Sequence, residues 1–239
     1  MKTHAVTDIG LTRTENQDCF YTSEMPVGNL PNLFVVADGM GGHVGGKCAS
    51  HTALQAVIEY IRDVQETDPG TILRKAFSFA NEEVMKEAKT KNMEGMGTTM
   101  VAATVYDDRF WVANVGDSRL YMVTPGEIRQ ITVDHSWVEK MVRLGELNPD
   151  EARTHEKKNV ITRAIGMMEE LKVDVFEVPL EEEGRILMCS DGLTNMIEDE
   201  QIRIIINSQR DVIERTEKLV EVANQNGGKD NITVVVIEP

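Results

Sequence analysis

The chain lacks any apolar run approaching the length of a bilayer span, and no signal-like apolar block follows Met1-Lys2-Thr3-His4. No membrane association and a cytoplasmic location are therefore expected. Cysteine is scarce. Cys19, Cys48 and Cys189 are odd in number, widely spaced and without metal-site spacing, which favours reduced, mostly buried thiols over disulfides or zinc. Positive charge is also in short supply: 25 basic residues stand against 40 acidic ones, a net charge of −15. So acidic a surface repels DNA, RNA and anionic lipid, so no nucleic-acid partner is expected. No Pro/Gly/Ser-rich linker, low-complexity tract or repeat interrupts the 239 residues, and one domain over 1–239 is expected, long enough for a substantial core.

What is present begins with periodicity. A short apolar run over 33–37 predicts a strand, and Ala49, Ala53, Val57 and Ile61 at four-residue spacing predict a helix over 45–61. Ala76, Phe79, Ala80 and Val84 predict a second helix over 72–88. The centre is rich in β-branched and aromatic residues, predicting strands over 98–106, 110–115 and 119–123 and a fourth near Ile128. Asp107-Asp108, Gly116-Asp117-Ser118 and Pro125-Gly126 then read as turns of an antiparallel meander. Short helices and loop follow over 136–153, strands over 173–178 and 186–189, helices over 199–207 and 212–223, and a last strand over 232–237. Paired helices between strands do not suit a regular βαβ winding. The pattern fits an α+β fold with a β-sandwich centre and helices packed outside.

Four separated stretches place an aspartate beside the end of an apolar run: Val35-Val36-Ala37-Asp38-Gly39, Val115-Gly116-Asp117-Ser118-Arg119, Met188-Cys189-Ser190-Asp191-Gly192 and Lys229-Asp230-Asn231-Ile232-Thr233. Each alone reads as a turn or cap residue. Four converging carboxylates would repel one another unless a cation sits between them. With no His or Cys cluster alongside, hard oxygen donors favour Mg²⁺ or Mn²⁺.

The motifs, in their order along essentially the whole chain, resemble the metal-dependent serine/threonine protein phosphatases of the type 2C (PPM) family in compact bacterial form. The matching pieces are Thr7-Asp8-Ile9-Gly10 with Arg13, Asn16, Gln17 and Asp18, Ala37-Asp38-Gly39-Met40-Gly41-Gly42-His43, and Gly97-Thr98-Thr99. Gly116-Asp117-Ser118-Arg119, Asp134-His135-Ser136, Thr162-Arg163-Ala164-Ile165-Gly166, Ser190-Asp191-Gly192-Leu193 and Lys229-Asp230-Asn231-Ile232-Thr233 complete the set. The resemblance implies two antiparallel sheets between helix pairs, a four-layer αββα sandwich. It also implies that Asp38 bridges two ions, that Gly39 ligates through its carbonyl, and that Asp191 and Asp230 are the remaining direct ligands. Asp18 resembles a carboxylate held off the metal by water. Asp117, with Asp191, resembles the ligands of a weaker third ion.

The implied activity is hydrolysis of phosphoserine and phosphothreonine in proteins by a water activated between Mn²⁺ or Mg²⁺ ions, with Arg13 gripping the phosphate. The implied partners are phosphoprotein substrates and a cognate Ser/Thr kinase, and the chain is expected to act as a monomer. Two departures stand out. Met40 replaces a histidine that many eukaryotic relatives use as a proposed general acid, and methionine cannot protonate a leaving group. Gln17 replaces a glutamate, so one ion loses nearby negative charge. His43, His51 and His155 read as packing, capping or surface residues, and the role of His135 is open. Asn195 could face the third ion or cap a helix. A flap over 137–163 is expected beside the site, where loops set substrate access. Competing readings are a catalytically silent phosphoprotein-binding module and a phosphatase of sigma-factor regulators. Retention of Asp38, Asp191, Asp230 and Arg13 argues against the first, and the missing N-terminal sensor domain against the second.

Overall fold

The computed structural model describes residues 1–239, apart from the side chains of His43 and Val44. The expected packing or capping role of His43 thus lies outside the described residues. Along the chain run β1 (Lys2–Asp8), β2 (Asp18–Ser23), β3 (Leu33–Met40), α1 (Gly42–Asp63), α2 (Pro69–Lys91), β4 (Gly97–Thr98), β5 (Met100–Tyr106) and β6 (Arg109–Val115). Next come β7 (Arg119–Val123), β8 (Ile128–Gln130), α3 (Trp137–Arg143), α4 (Pro149–Thr154), β9 (Asp174–Pro179) and β10 (Arg185–Cys189). The chain finishes with α5 (Asp191–Thr194), α6 (Asp199–Ile206), α7 (Val212–Gln225) and β11 (Ile232–Glu238).

Among the described residues the strands form two antiparallel sheets, one ordered β1-β11-β10-β7-β8 and the other β2-β3-β5-β6-β9, with β4 paired to β3. The central strands are apolar on both faces, which is why they read as continuous hydrophobic runs. Strand pleating sorts their side chains two ways. Phe34 and Val36 of β3 meet Met188 of β10 and Val235 of β11 between the sheets. Val35 and Ala37 turn outward under α1 and α2. On the opposite side Leu187, Cys189, Val234 and Val236 pack under α5, α6 and α7. The result is the α+β, four-layer sandwich that the motif pattern implies. Cys19 and Cys189 are buried free thiols, and Cys48 is half-buried and free.

The meander is corrected. Residues β5 and β6 do form a hairpin, but β6 then pairs with β9 while β7 pairs with β10 and β8 in the other sheet. Gly116-Asp117-Ser118 is not a hairpin turn but the crossing from one sheet to the other. Gly116 makes the crossing possible with φ of 109°, a conformation a side chain resists. Strands β1 and β2 carry too little apolar alternation to be read from sequence. Their place comes from pairing with β11 and β3.

Candidate active site

The second-sheet register explains the first pair of carboxylates. Asp18, at the start of β2, stands directly opposite Asp38 near the end of β3. The other sheet brings Asp191, which opens α5 just after β10, and Asp230, which precedes β11. Asp117 arrives from the crossing between the sheets. Asp38, Gly39, Asp117, Asp191 and Asp230 line one cleft of about 840 Å³, together with Arg13, Gln17, Met40, Asn159 and Ile161. Segments far apart in the sequence thus converge, as the spacing of the four motifs anticipates. Asp18 lies buried behind the cleft wall.

Burial and mutual repulsion push the carboxyls of Asp18, Asp38, Asp117 and Asp191 upward. Asp38 opens onto the cleft on one side but is desolvated on the others, and desolvation, then the charges of Asp18, Asp191, Asp117 and Asp230, hold its pKa well above the carboxylate range. Asp191 is raised for the same reason, burial first, then Asp117 and Asp230. Asp117 is pushed up to about 7 by burial and by Asp134, with Arg119 pulling the other way. Asp18 rises to about 6, burial outweighing the hydroxyls that Ser190 and Thr233 donate to its Oδ2, each at 2.7 Å.

Several orphaned atoms show what would relieve this. Asp18 Oδ1 and Asp191 Oδ1 are buried without a hydrogen-bond partner among the described residues, an arrangement that costs free energy unless something positive approaches. Asp18 and Asp38 can bond each other only by sharing a proton. At Gly39 a Cβ would stand 2.0 Å from the Gly46 carbonyl oxygen and 2.8 Å from that of Gln17, so side-chain-free backbone is required there. An all-oxygen donor set, desolvated anions and a bare carbonyl suit a hard divalent cation.

Residues that the motif reading includes without giving them a role hold the aspartate segments in place. Thr98 Oγ1 and the Thr99 amide both donate to the Asp38 carbonyl, at 2.8 and 2.9 Å. Asn231 accepts from the Gln17 amide and donates to the carbonyls of Ile9 and Glu15, tying the 9–17 loop to the start of β11. At Gly192 a Cβ would lie 1.9 Å from the Asn231 carbonyl oxygen, so glycine lets α5 close on that strand. Their sequence signal is membership of the matching motifs, Gly97-Thr98-Thr99 and the stretches around Asp191 and Asp230, which gives no hint of these contacts.

Arg13 Nη2 donates to Asp230 Oδ2 at 2.7 Å, and its side chain is 53% exposed. Gln17 Nε2 donates to the Gly42 carbonyl at 2.8 Å. Asn195 stands at the C-terminal cap of α5, in keeping with the capping reading, and its side chain donates to Asp191 Oδ2 at 2.9 Å. His155 and Trp137 stack with ring centres 5.0 Å apart, the expected packing role, and His51 is exposed.

Helices α3 and α4 lie in the expected flap. Arg153 reaches Glu198 at 2.9 Å and the Thr194 carbonyl at 3.4 Å, and Lys158 reaches Asn195 at 3.4 Å. Beneath them is a smaller cavity of about 360 Å³ that shares Asp117 and Asp191 with the main cleft.

Comparison with known proteins bears on the family and the fold. The family model described as Protein phosphatase 2C matches residues 12–232. A serine/threonine phosphatase, stp, of Listeria monocytogenes is 38% identical over 237 residues, covering 97% of this chain and 93% of that protein. The crystal structure of the serine/threonine phosphatase Stp1 from Staphylococcus aureus superposes with a TM-score of 0.92 at 31% identity, covering 100% of this chain and 95% of that one. The catalytic domain of serine threonine protein phosphatase PstP, solved in complex with two manganese ions, superposes with a TM-score of 0.86 at 33% identity over 98% of this chain and 96% of that one.

Proposed function

This chain belongs to the protein phosphatase 2C family and is a protein serine/threonine phosphatase, and from that premise we propose that it is metal-dependent and opposes a Ser/Thr protein kinase. Asp38, Asp191, Asp230 and the Gly39 carbonyl would hold two divalent ions, Mn²⁺ or Mg²⁺, with Asp18 supporting them from behind. Asp117 and Asp191 would hold a weaker third. Such ions supply positive charge opposite the phosphoryl oxygens and lower the pKa of water in their coordination shell. The observation that carries the reading is the cleft itself: carboxyls from four distant segments line it, Asp191 among them with an orphaned oxygen, and Asp18 behind its wall carries another. Without cations these anions would repel a dianionic phosphate.

The chain's own residues do the rest. Arg13 sits at the cleft mouth with one contact to Asp230, and its guanidinium can turn from that carboxylate to present two parallel N–H donors to the substrate phosphate. Met40 lines the cleft beside Gly41 and Gly42 and offers no proton. None of the described residues needs to form a covalent bond to phosphorus.

A phosphothreonine peptide tests the proposal. Phosphate release is expected to vanish in EDTA and return on adding Mn²⁺. Release that persists after complete metal removal would end the metal-dependent reading, whereas peptide captured but never hydrolysed would favour the silent module. Arg13→Ala is expected to act on binding. Losing charge-assisted hydrogen bonds worth about 1.5–3 kcal/mol raises KM roughly 10- to 100-fold with a smaller change in kcat. An unchanged KM would remove Arg13 from the phosphate.

A further inference from the structure

Asp117 presents a problem of placement. Asp117 is a buried residue, 7% exposed, yet among the described residues the one hydrogen bond to its carboxyl comes from its own amide. Among the described residues no neighbouring side chain bonds it into position, and the backbone places it instead. That backbone is the crossing between sheets, where Gly116 has a φ of 109° and Thr99 Cβ fills the space a Gly116 Cβ would occupy, 2.4 Å away.

We infer that His135 is a positioning residue: it clamps the Gly116 peptide from both sides, thereby aiming Asp117 into the cleft, and ties that clamp to both ends of the flap. The inference rests on the metal-centred reading of Asp117 above. The His135 amide donates to the Gly116 carbonyl at 2.9 Å, and the Gly116 amide donates to His135 Nδ1 at 3.0 Å. Because Gly116 is the donor, Nδ1 carries the lone pair and the ring proton is on Nε2. Nε2 lies 3.1 Å from Asp174 Oδ2, which accepts that proton's hydrogen bond. Arg163 Nη1 donates to Asp174 Oδ1 at 2.8 Å and to the Lys172 carbonyl at 3.0 Å, and lies 2.9 Å from Nε2. Asp174 accepts from both, so with this tautomer the close approach of Nη1 and Nε2 is a contact of two donors and not a hydrogen bond.

The flap enters through the same residue. His135 immediately precedes Ser136, whose hydroxyl caps α3 by accepting from the Glu139 amide at 3.2 Å. Where the flap returns, the Thr162 amide donates to the His135 carbonyl at 2.7 Å, and Arg163 follows. One buried imidazole thus joins the start of the flap, its end, β9 through Asp174, and the turn that bears Asp117. A histidine that only fills core space would be replaced equally well by either amide side chain. A clamp would not, since each amide reproduces one ring nitrogen.

His135→Asn places Oδ1 where Nδ1 stands and keeps the acceptor for Gly116, while His135→Gln keeps a donor for Asp174 and loses that acceptor. Two measurements discriminate. Calorimetric titration with Mn²⁺ alone should show a weak class of sites that Asp117→Ala deletes. His135→Gln should weaken that class about tenfold, the low end for residues supporting a ligand, and leave the tight class unchanged. His135→Asn should stay within about twofold of wild type. Amide hydrogen exchange on EDTA-treated protein should show the Gly116 N–H protected in wild type and in His135→Asn, and exchanging at least about tenfold faster in His135→Gln. Equal behaviour of the two variants, or an unchanged weak class and unchanged exchange in His135→Gln, overturns the clamp. If the weak class survives Asp117→Ala, the metal role of Asp117 falls instead, and the clamp stands or falls on the amide exchange alone.

Discussion

Asp38→Asn is expected to lower kcat on a phosphothreonine peptide by at least about 10³-fold while the protein stays folded. The size follows from position. Asp38 stands opposite Asp18 in the β2–β3 register, its carbonyl is held by Thr98 and Thr99, and its carboxyl feels the charges of Asp18, Asp191, Asp117 and Asp230. An amide there removes a charge that no neighbour replaces at the same point. The substitution also relieves repulsion, so EDTA-treated Asp38→Asn should melt at a higher temperature than EDTA-treated wild type near pH 7.5. Steady-state kinetics beside thermal melts checks both halves. Undiminished hydrolysis by the variant, or a melting temperature well below wild type, would contradict the placement of Asp38 at the centre of the charge cluster.

The second large effect is on stability. Asp18 and Asp117 have folded-state pKa values raised to about 6 and about 7. A raised carboxyl binds a proton in the folded state that the unfolded chain releases. Its stabilising contribution is therefore present below about pH 4 and lost as pH rises through 6 and 7. Together the two groups amount to on the order of 7 kcal/mol, a large share of the 5–15 kcal/mol typical of a whole protein. His135 works against this trend, because burial lowers its pKa and its neutral form favours folding above about pH 6.5. Comparison of EDTA-treated wild type with Asp117→Asn separates the two, since His135 is common to both. The variant should be more stable by about 2–4 kcal/mol at pH 7.5 and nearly equal to wild type at pH 4.5. Denaturant midpoints that run parallel across that range would refute the shift. Added Mn²⁺ should stabilise wild type far more than Asp117→Asn at the weak site's concentrations.

The helices and most strands were legible because amphipathic spacing and β-branched runs are local. Helices α1 and α2 run two or three residues beyond their periodic cores at each end, and in α2 Asp68 with Pro69 and the Asn92 cap add turns that carry no apolar repeat. The turn at Gly116-Asp117-Ser118 was misread for a definite reason. Glycine beside aspartate serves a hairpin and a sheet-to-sheet crossing equally well, and only the partners of β6 and β7, namely β9 and β10, distinguish them. Those partners lie some sixty residues downstream. Ser190 and Thr233 were invisible as supports of Asp18 because their contacts span 172 and 215 residues of sequence.

Residue order alone determined which side chains are candidates for the chemistry: the aspartates, a glycine beside one of them, and an arginine near the start, in motifs whose spelling identifies a family. Composition pointed to oxygen donors, because histidine and cysteine clusters are missing. Only the folded chain decided that these groups share one cleft, that Asp18 faces Asp38, and that His135 grips the peptide before Asp117. The reason is physical. Electrostatic strain and hydrogen-bond geometry depend on distances across sheets, and those distances are set by strand pairing between segments that no local pattern relates.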